Sequence, residues 1–396
     1  MYTGRDDGAA PPTSPVPTAL PPVDVPPPPD DAFTKERLLT AIATCALGRF
    51  EAFEVEAKVL ESAATAHDAA PDAVTQSAVE EAWRRAMDVW QEAELFRVGP
   101  AAHAGEPGGQ DLRDVVYAFP SVSRCRIEEQ LVAKSYADAS FGSSLVNGRG
   151  LGALEYLLFF PGDDNDCSRF SPINGTTGVT WTSLGAPERA TRKRSYAAAV
   201  ARDVRNAAGR LVAAWSPAGG DFVGELARAG SGSRTFATQQ AAFDALTMAL
   251  FYVEKETKDL KLGRPLGYVE CTTGSTCPEA VESRFARTST AHVRANYRGF
   301  RRLFQGCGEN GAGFGFDDWL VAVGAGDLAT RMIAALRGAE IALDAIDVPL
   351  DDAIRTTPDR VAAAHAALRA LTDPLKTEFV SILDLELPKA SEGDND

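Results

Sequence analysis

One carboxylate interrupts the run Gly150 to Phe160, which reads GLGALEYLLFF and is otherwise apolar on every side of a helix. An ionised, unpaired carboxylate in such a setting costs several kcal/mol or more, so Glu155 must protonate, bind a cation, or meet an Arg or Lys from elsewhere in the chain. That requirement makes Glu155 the first candidate for chemistry. A second set of charges lies in VESRFARTSTAHVRANYRGFRRLF, where Glu282, Ser283 and Arg284 precede Phe285. Glu282 and Lys261 can share a pocket only through tertiary folding. A third pair is Glu94 and Arg97, three residues apart where a helix carrying Trp83 and Trp90 comes to its end, and so able to face the interior together.

Other chemistries lack their signatures. There is no HExxH, GxSxG, phosphate-binding loop or dinucleotide-binding glycine pattern. The four histidines (His67, His103, His292, His365) are scattered singly, which disfavours triads and soft-metal sites. The six cysteines fit neither zinc-ribbon spacing nor a CxxC pair, leaving buried thiols or disulfides. Cys271 and Cys277 flank CTTGSTC, a loop short and flexible enough to close, and a bridge there would suit an oxidising compartment.

The elements that must position these residues are helical. Val79, Trp83, Met87, Trp90 and Glu94 step by helical intervals along one stripe, and the helix stops at Gly99-Pro100. Further helices are expected at about 34–65, 112–137, 150–160, 190–216, 235–260, 279–304, 317–345 and 358–386. Strand-like alternation is sparse, and the longest non-helical stretch, about 161–188, looks like an excursion between two halves. The expectation is an all-α protein of two helical bundles, 33–170 and 189–390, joined through 171–188. Residues 1–32 hold 10 of the 24 prolines and almost nothing that packs, so they read as a disordered tether, as do 391–396 as a tail.

Composition narrows the partners. The formal net charge is -15 with no long basic run, which argues against nucleic acid or an anionic membrane surface. The short patch Arg192, Lys193, Arg194 reads as a solvated face. No apolar stretch approaches the ~20 residues of a membrane-spanning helix. A Pro-rich leader ahead of a folded body is what remains when an export signal or lipid-anchor segment is removed.

Five segments occur in an order and spacing that resemble the imelysin-like family of bacterial envelope proteins: AWRRAMDVWQEAELFRVGP, LRDVVYAFP, GRGLGALEYLLF, KLGRPLG and VESRFARTSTAHVRANYRGFRRLFQG. The resemblance covers roughly residues 33–390. It implies two four-helix-bundle-like halves about a pseudo-two-fold, with a pocket between them marked by a Gly-x-His-x-x-Glu motif. Gly150 and Glu155 match that motif, while Gly152 stands where the histidine would be. The family includes an insulin-cleaving peptidase filed with metallopeptidases and proteins resembling periplasmic iron-uptake lipoproteins. Without the histidine, Glu155 cannot form a His/Glu pair to hold a metal or activate water.

The resemblance therefore points to a non-catalytic ligand-binding protein of the cell envelope, periplasmic or lipid-anchored, linked to iron acquisition and to other envelope iron-uptake components. Its expected pocket holds Gly150, Gly152, Glu155, Glu282, Ser283 and Arg284, with Glu94 and Arg97 ranking behind. Glu155 and Glu282 would serve as acids for a basic ligand atom or for a metal such as iron or another divalent cation, Arg284 as counter-charge and Ser283 as hydrogen-bond donor. Two rival readings are a metallopeptidase built on other residues and a structural protein in which a buried ion pair fixes how the halves dock.

Overall fold

In the computed structural model, residues 32–271 and 275–388 are described; the expected leader, apart from its last residue Ala32, and the expected tail lie outside them. Among the described residues there are helices and turns and no strand, as the sequence leads one to expect. The principal helices are α1 (Lys35–Ala69), α2 (Ala73–Ala93), α3 (Arg124–Ala133), α4 (Gly150–Phe159), α5 (Ala186–Trp215), α6 (Gln239–Leu250), α7 (Ser289–Gln305), α8 (Gly326–Asp344) and α9 (Pro358–Pro374). A π-helical stretch, Val253–Gly263, follows α6.

The apolar stripe of α2 is buried along its length, with Trp83 and Trp90 wholly enclosed and Phe53 of α1 packed on Trp90 at 4.7 Å between ring centroids. Asp72 caps α2 by accepting a hydrogen bond from the Thr75 amide, and Thr75 answers the Asp72 backbone. Trp83 Nε1 donates to the Leu151 carbonyl at 3.0 Å, tying α2 to the start of α4.

Two helical groups result, but the division expected at 171–188 does not follow the packing. Helix α5, which comes after the excursion, packs on α1 and α4, so α1, α2, α4 and α5 form the first group. The second contains the π-helical stretch, α7, α8 and α9. The Ala-rich inner face of α5 (Ala197, Ala201, Ala207, Ala208) explains this, since small side chains allow a close approach to the long α1. Helix α7 crosses α2, and the buried apolar residues make one continuous core across both groups.

Several helices expected to run on are interrupted. The 112–137 segment breaks between Val116 and Arg124, where Pro120 removes an amide donor and constrains Phe119. The 317–345 segment breaks at Val323–Ala325, with Gly324 at φ +84°. The 279–304 segment is a turn over 282–287 before α7 begins. The first and last of these breaks supply the loops that reach Glu155. The basic patch also differs from expectation: the Lys193 ammonium lies over the rings of Tyr156 and Phe160, and Arg192 donates to the Val132 carbonyl.

All six cysteines are paired, as Cys45–Cys307, Cys125–Cys167 and Cys271–Cys277. The first ties α1 to the loop after α7, joining the two groups.

Candidate functional site

Glu155 sits on α4 where that helix meets the 282–287 turn. Its partner is neither a cation nor Arg284. Oε1 accepts from the backbone amides of Phe285 at 2.8 Å and Ala286 at 3.1 Å, so a carboxylate from the first helical group caps a turn belonging to the second. Burial pushes the Glu155 carboxyl up to about 7, although the two amides, His292 and the Ser283 hydroxyl all favour its ionised form.

The glycines of the motif are explained by their neighbours. Gly150 opens α4 at φ +76°, with the Val116 carbonyl where a side chain would begin. At Gly152 a Cβ would lie 2.6 Å from Val122 Cγ2, in the loop just after Pro120. The space that a side chain at 152 would need is thus occupied by that loop.

Behind Glu155 lies a buried polar cluster centred on Lys261, from the π-helical stretch. Its ammonium donates to Gln91 Oε1 at 2.5 Å and Asn296 Oδ1 at 2.7 Å, and it pairs with Glu94 and Glu282, each at 3.0 Å. Glu282 also accepts from Tyr117 Oη at 2.8 Å and Gln91 Nε2 at 3.0 Å, while its other oxygen meets His292 Nδ1 at 3.1 Å. Burial opposes ionisation of Glu282, yet Lys261 and His292 hold its carboxyl well below the usual carboxylate range. Glu94 meets Arg113 at 3.3 Å on its far side. A hydroxyl relay completes the connection, with His292 Nε2 3.0 Å from Thr288 Oγ1 and Thr288 donating to Ser283 Oγ at 3.1 Å.

The residues picked out in the sequence are thus distributed in three ways. Gly152, Glu155, Glu282 and Arg284 line one cleft of about 260 Å³, together with Tyr117, Phe119, Val122, Arg124, Tyr156, Arg264 and Phe285. Gly150, Ser283 and Glu94 support it from behind. Ser283 is fully buried; its hydroxyl accepts from Thr288 and favours the ionised form of Glu155, so it acts on the cleft through Glu155. Arg284 is exposed, with its guanidinium 4.6 Å over the Phe285 ring, and the counter-charge of Glu282 is Lys261 instead. Glu94 and Arg97 do not meet: α2 ends at Ala93, the helical three-residue register is lost, and Arg97 pairs with Glu256.

The acids expected to hold a metal are committed elsewhere. Both oxygens of Glu282 accept from protein donors, the ammonium of Lys261 stands 3.0 Å from it, and Glu155 is turned to backbone amides. Among the described residues, the only group of three His, Cys, Asp or Glu donors close enough to share an ion is Cys125, Glu129 and Cys167, and both cysteines are in a disulfide. The donor set around Glu155 does not fit a metal.

Sequence reasoning missed Tyr117, Gln91, Arg113, His292 and Asn296. A signal for two of them exists: Ser289, His292 and Asn296 fall at helical spacing on the same side as Val293 and Phe300, a polar row on a buried face.

The family model described as Imelysin matches residues 46–377. The chain is 24% identical over 328 residues to the iron-regulated protein A of Synechococcus elongatus, covering 82% of this chain and 80% of that one. The crystal structure of an iron-regulated protein A precursor from Parabacteroides distasonis superposes with a TM-score of 0.65 at 16% identity, covering 91% of this chain and 97% of that one. An imelysin-like protein from Psychrobacter arcticum gives 0.64 at 13% identity, covering 90% and 98%. These structures share the fold, and with a family model that spans most of its length, the chain belongs to the Imelysin family.

Proposed function

We propose that this chain is a non-catalytic binding protein of the cell envelope, acting in an iron-regulated setting, and that its ligand occupies the cleft over Glu155 between the two helical groups. The observation that carries the reading is the fate of the motif. Val122 fills the place of a side chain at 152, Glu155 accepts from the amides of Phe285 and Ala286, and Glu282 is paired with Lys261, so the two acids expected to hold a metal are engaged by the protein itself while a lined cleft persists beside them. Three disulfides suit an oxidising compartment. No helix of the described residues is long and apolar enough to cross a membrane. The iron link rests on the names of the relatives.

A second reading has its own support and is compatible with the first: the Lys261 cluster draws on α2, the π-helical stretch and the 282 turn, with two cations (Lys261, Arg113) facing two acids (Glu94, Glu282), and so fixes how the groups dock.

The test uses the disulfide-intact chain and a variant, Ala280→Trp, that puts a large side chain at a residue lining the cleft. Ligands found by thermal-shift screening, ferric salts included, are expected to stabilise the parent and not the variant. Unfolded insulin B chain under metal-replete conditions is expected to remain uncut. Chelator-sensitive cleavage lost in Glu155→Gln would overturn the reading in favour of a metallopeptidase.

A further inference from the structure

The acids at the floor of the cleft are satisfied by protein donors, as described above. Two of the three arginines that line it are less fully engaged. Arg264 follows directly on the π-helical stretch; its Nε is buried without a hydrogen-bond partner, and its nearest acid, Glu270, stands 3.9 Å away. Arg284 has the Phe285 ring as its neighbour and no carboxylate in ion-pair range among the described residues. The third arginine, Arg124, is engaged by Glu128 and Asp164, each at 2.8 Å. Two acids, Asp166 and Glu279, also line the cleft and, like Arg284, are exposed. Among the described residues that line the cleft, the one buried side-chain polar atom without a hydrogen-bond partner is thus the Nε of Arg264, a cationic donor, although the chain as a whole carries a net charge of -15.

The walls supply the second half of the specification. Tyr117 and Phe119 stack with ring planes 12° apart on the loop that covers Gly152. Phe285, also in the lining, packs edge-on against Tyr156 at 5.9 Å and against Phe160 at 5.2 Å. Aromatic surfaces of this kind receive a flat ring, and a guanidinium with free N–H groups receives a carboxylate through paired, charge-assisted hydrogen bonds. A volume of about 260 Å³ restricts the ligand to one or two fused rings.

We propose that the cleft binds a small aromatic carboxylate, its ring between Tyr117/Phe119 and Tyr156/Phe285 and its carboxylate on Arg264 and Arg284. The proposal rests on the cleft being the ligand site and adds the charge and shape of what enters it. A cationic ring in the same place would set its charge against both guanidiniums and is disfavoured.

The experiment is calorimetric titration of the full, disulfide-intact chain with naphthoate and benzoate, and with naphthylmethylamine as a probe of the same shape and opposite charge. The acids are expected to bind and the amine not. Arg284→Gln, an exposed change that leaves the fold intact, and Arg264→Gln should each weaken naphthoate about tenfold or more, the loss expected for one charge-assisted hydrogen bond. Ala280→Trp should abolish it. Absence of naphthoate binding to the parent chain, or binding untouched by both arginine substitutions, overturns the proposal. Amine binding that disappears in Ala280→Trp also overturns it, while leaving the cleft as the binding site. Naphthoate binding that survives Ala280→Trp places the ligand elsewhere and sinks both this proposal and the reading beneath it.

Discussion

Replacing Glu155 by Gln isolates the energetic consequence of burying an acid against backbone amides. The amide oxygen of glutamine can accept from Phe285 and Ala286 as the carboxyl does, so the hydrogen bonds survive and only the titration is removed. A carboxyl raised from 4.5 to about 7 on folding keeps a proton that the unfolded chain has already released. Unfolding therefore releases a proton in that window, and stability falls as pH rises from about 4.5 to 7, then levels off. The shift corresponds to about 3 kcal/mol. Below pH 4.5 parent and variant should match; above pH 7 Glu155→Gln should be the more stable by about 3 kcal/mol. In a thermal melt that is roughly 4 °C for a chain of this length. Urea titration at intervals between pH 4 and 8, followed by tryptophan fluorescence with the disulfides intact, measures the difference directly. Taking the difference cancels Asp317, whose carboxyl burial also pushes up to about 7, and Glu282. A difference that stays flat across the window, or a parent that gains on the variant as pH rises, would refute the reasoning.

Three other outcomes follow from the same packing. Lys261→Met leaves Glu94 and Glu282 facing each other without their shared cation, and should cost about 3 to 5 kcal/mol in urea titration at neutral pH; a loss below about 1 kcal/mol would show that Arg113, His292 and Tyr117 suffice. Gly152→His restores the family motif but drives a Cβ into Val122, which should cost about 1 to 3 kcal/mol. Adding Val122→Ala should recover most of that loss, and a double variant no more stable than the single would mean that Val122 is not the obstruction. Removing the Cys45–Cys307 bridge, which spans 262 residues, by paired alanine substitution should cost more than removing Cys271–Cys277, which spans 6, by about 3 kcal/mol on loop entropy; equal losses in calorimetric melts would contradict it.

Much of the fold could be read from periodicity because helices declare themselves locally. The α2 stripe from Val79 to Glu94 is buried where its spacing placed it, and the apolar run around Glu155 is a helix as written. Helix breaks were harder to place. Pro120 and Gly324 are ordinary breakers lying inside otherwise helical patterns, and their effect depends on what the freed loop packs against. The grouping of helices was not local at all: nothing in the sequence of α5 names α1 as its partner, and only the small inner face of α5 permits it. The candidate site shows the same limit. That Glu155 needs a partner follows from its surroundings, but a backbone amide carries no side-chain signature, so the likeliest-looking partner, Arg284, was the wrong one. Lys261 sits in KLGRPLG, within a π-helical stretch that helical spacing does not anticipate, and its four polar partners come from three separate segments.

The pairing of Cys45 with Cys307 has a consequence for biosynthesis. Delivered from its N-terminus into an oxidising space, the chain presents Cys45 first and its partner last, after Cys125, Cys167, Cys271 and Cys277 have all emerged. Cys45 must then stay reduced, or exchange out of a premature bond with Cys125, until the second helical group arrives. Consecutive pairing would close the wrong loop and hold α1 away from the segment after α7. Correct maturation thus depends on thiol exchange outpacing irreversible trapping, and a host that oxidises thiols without isomerising them should accumulate a mispaired form.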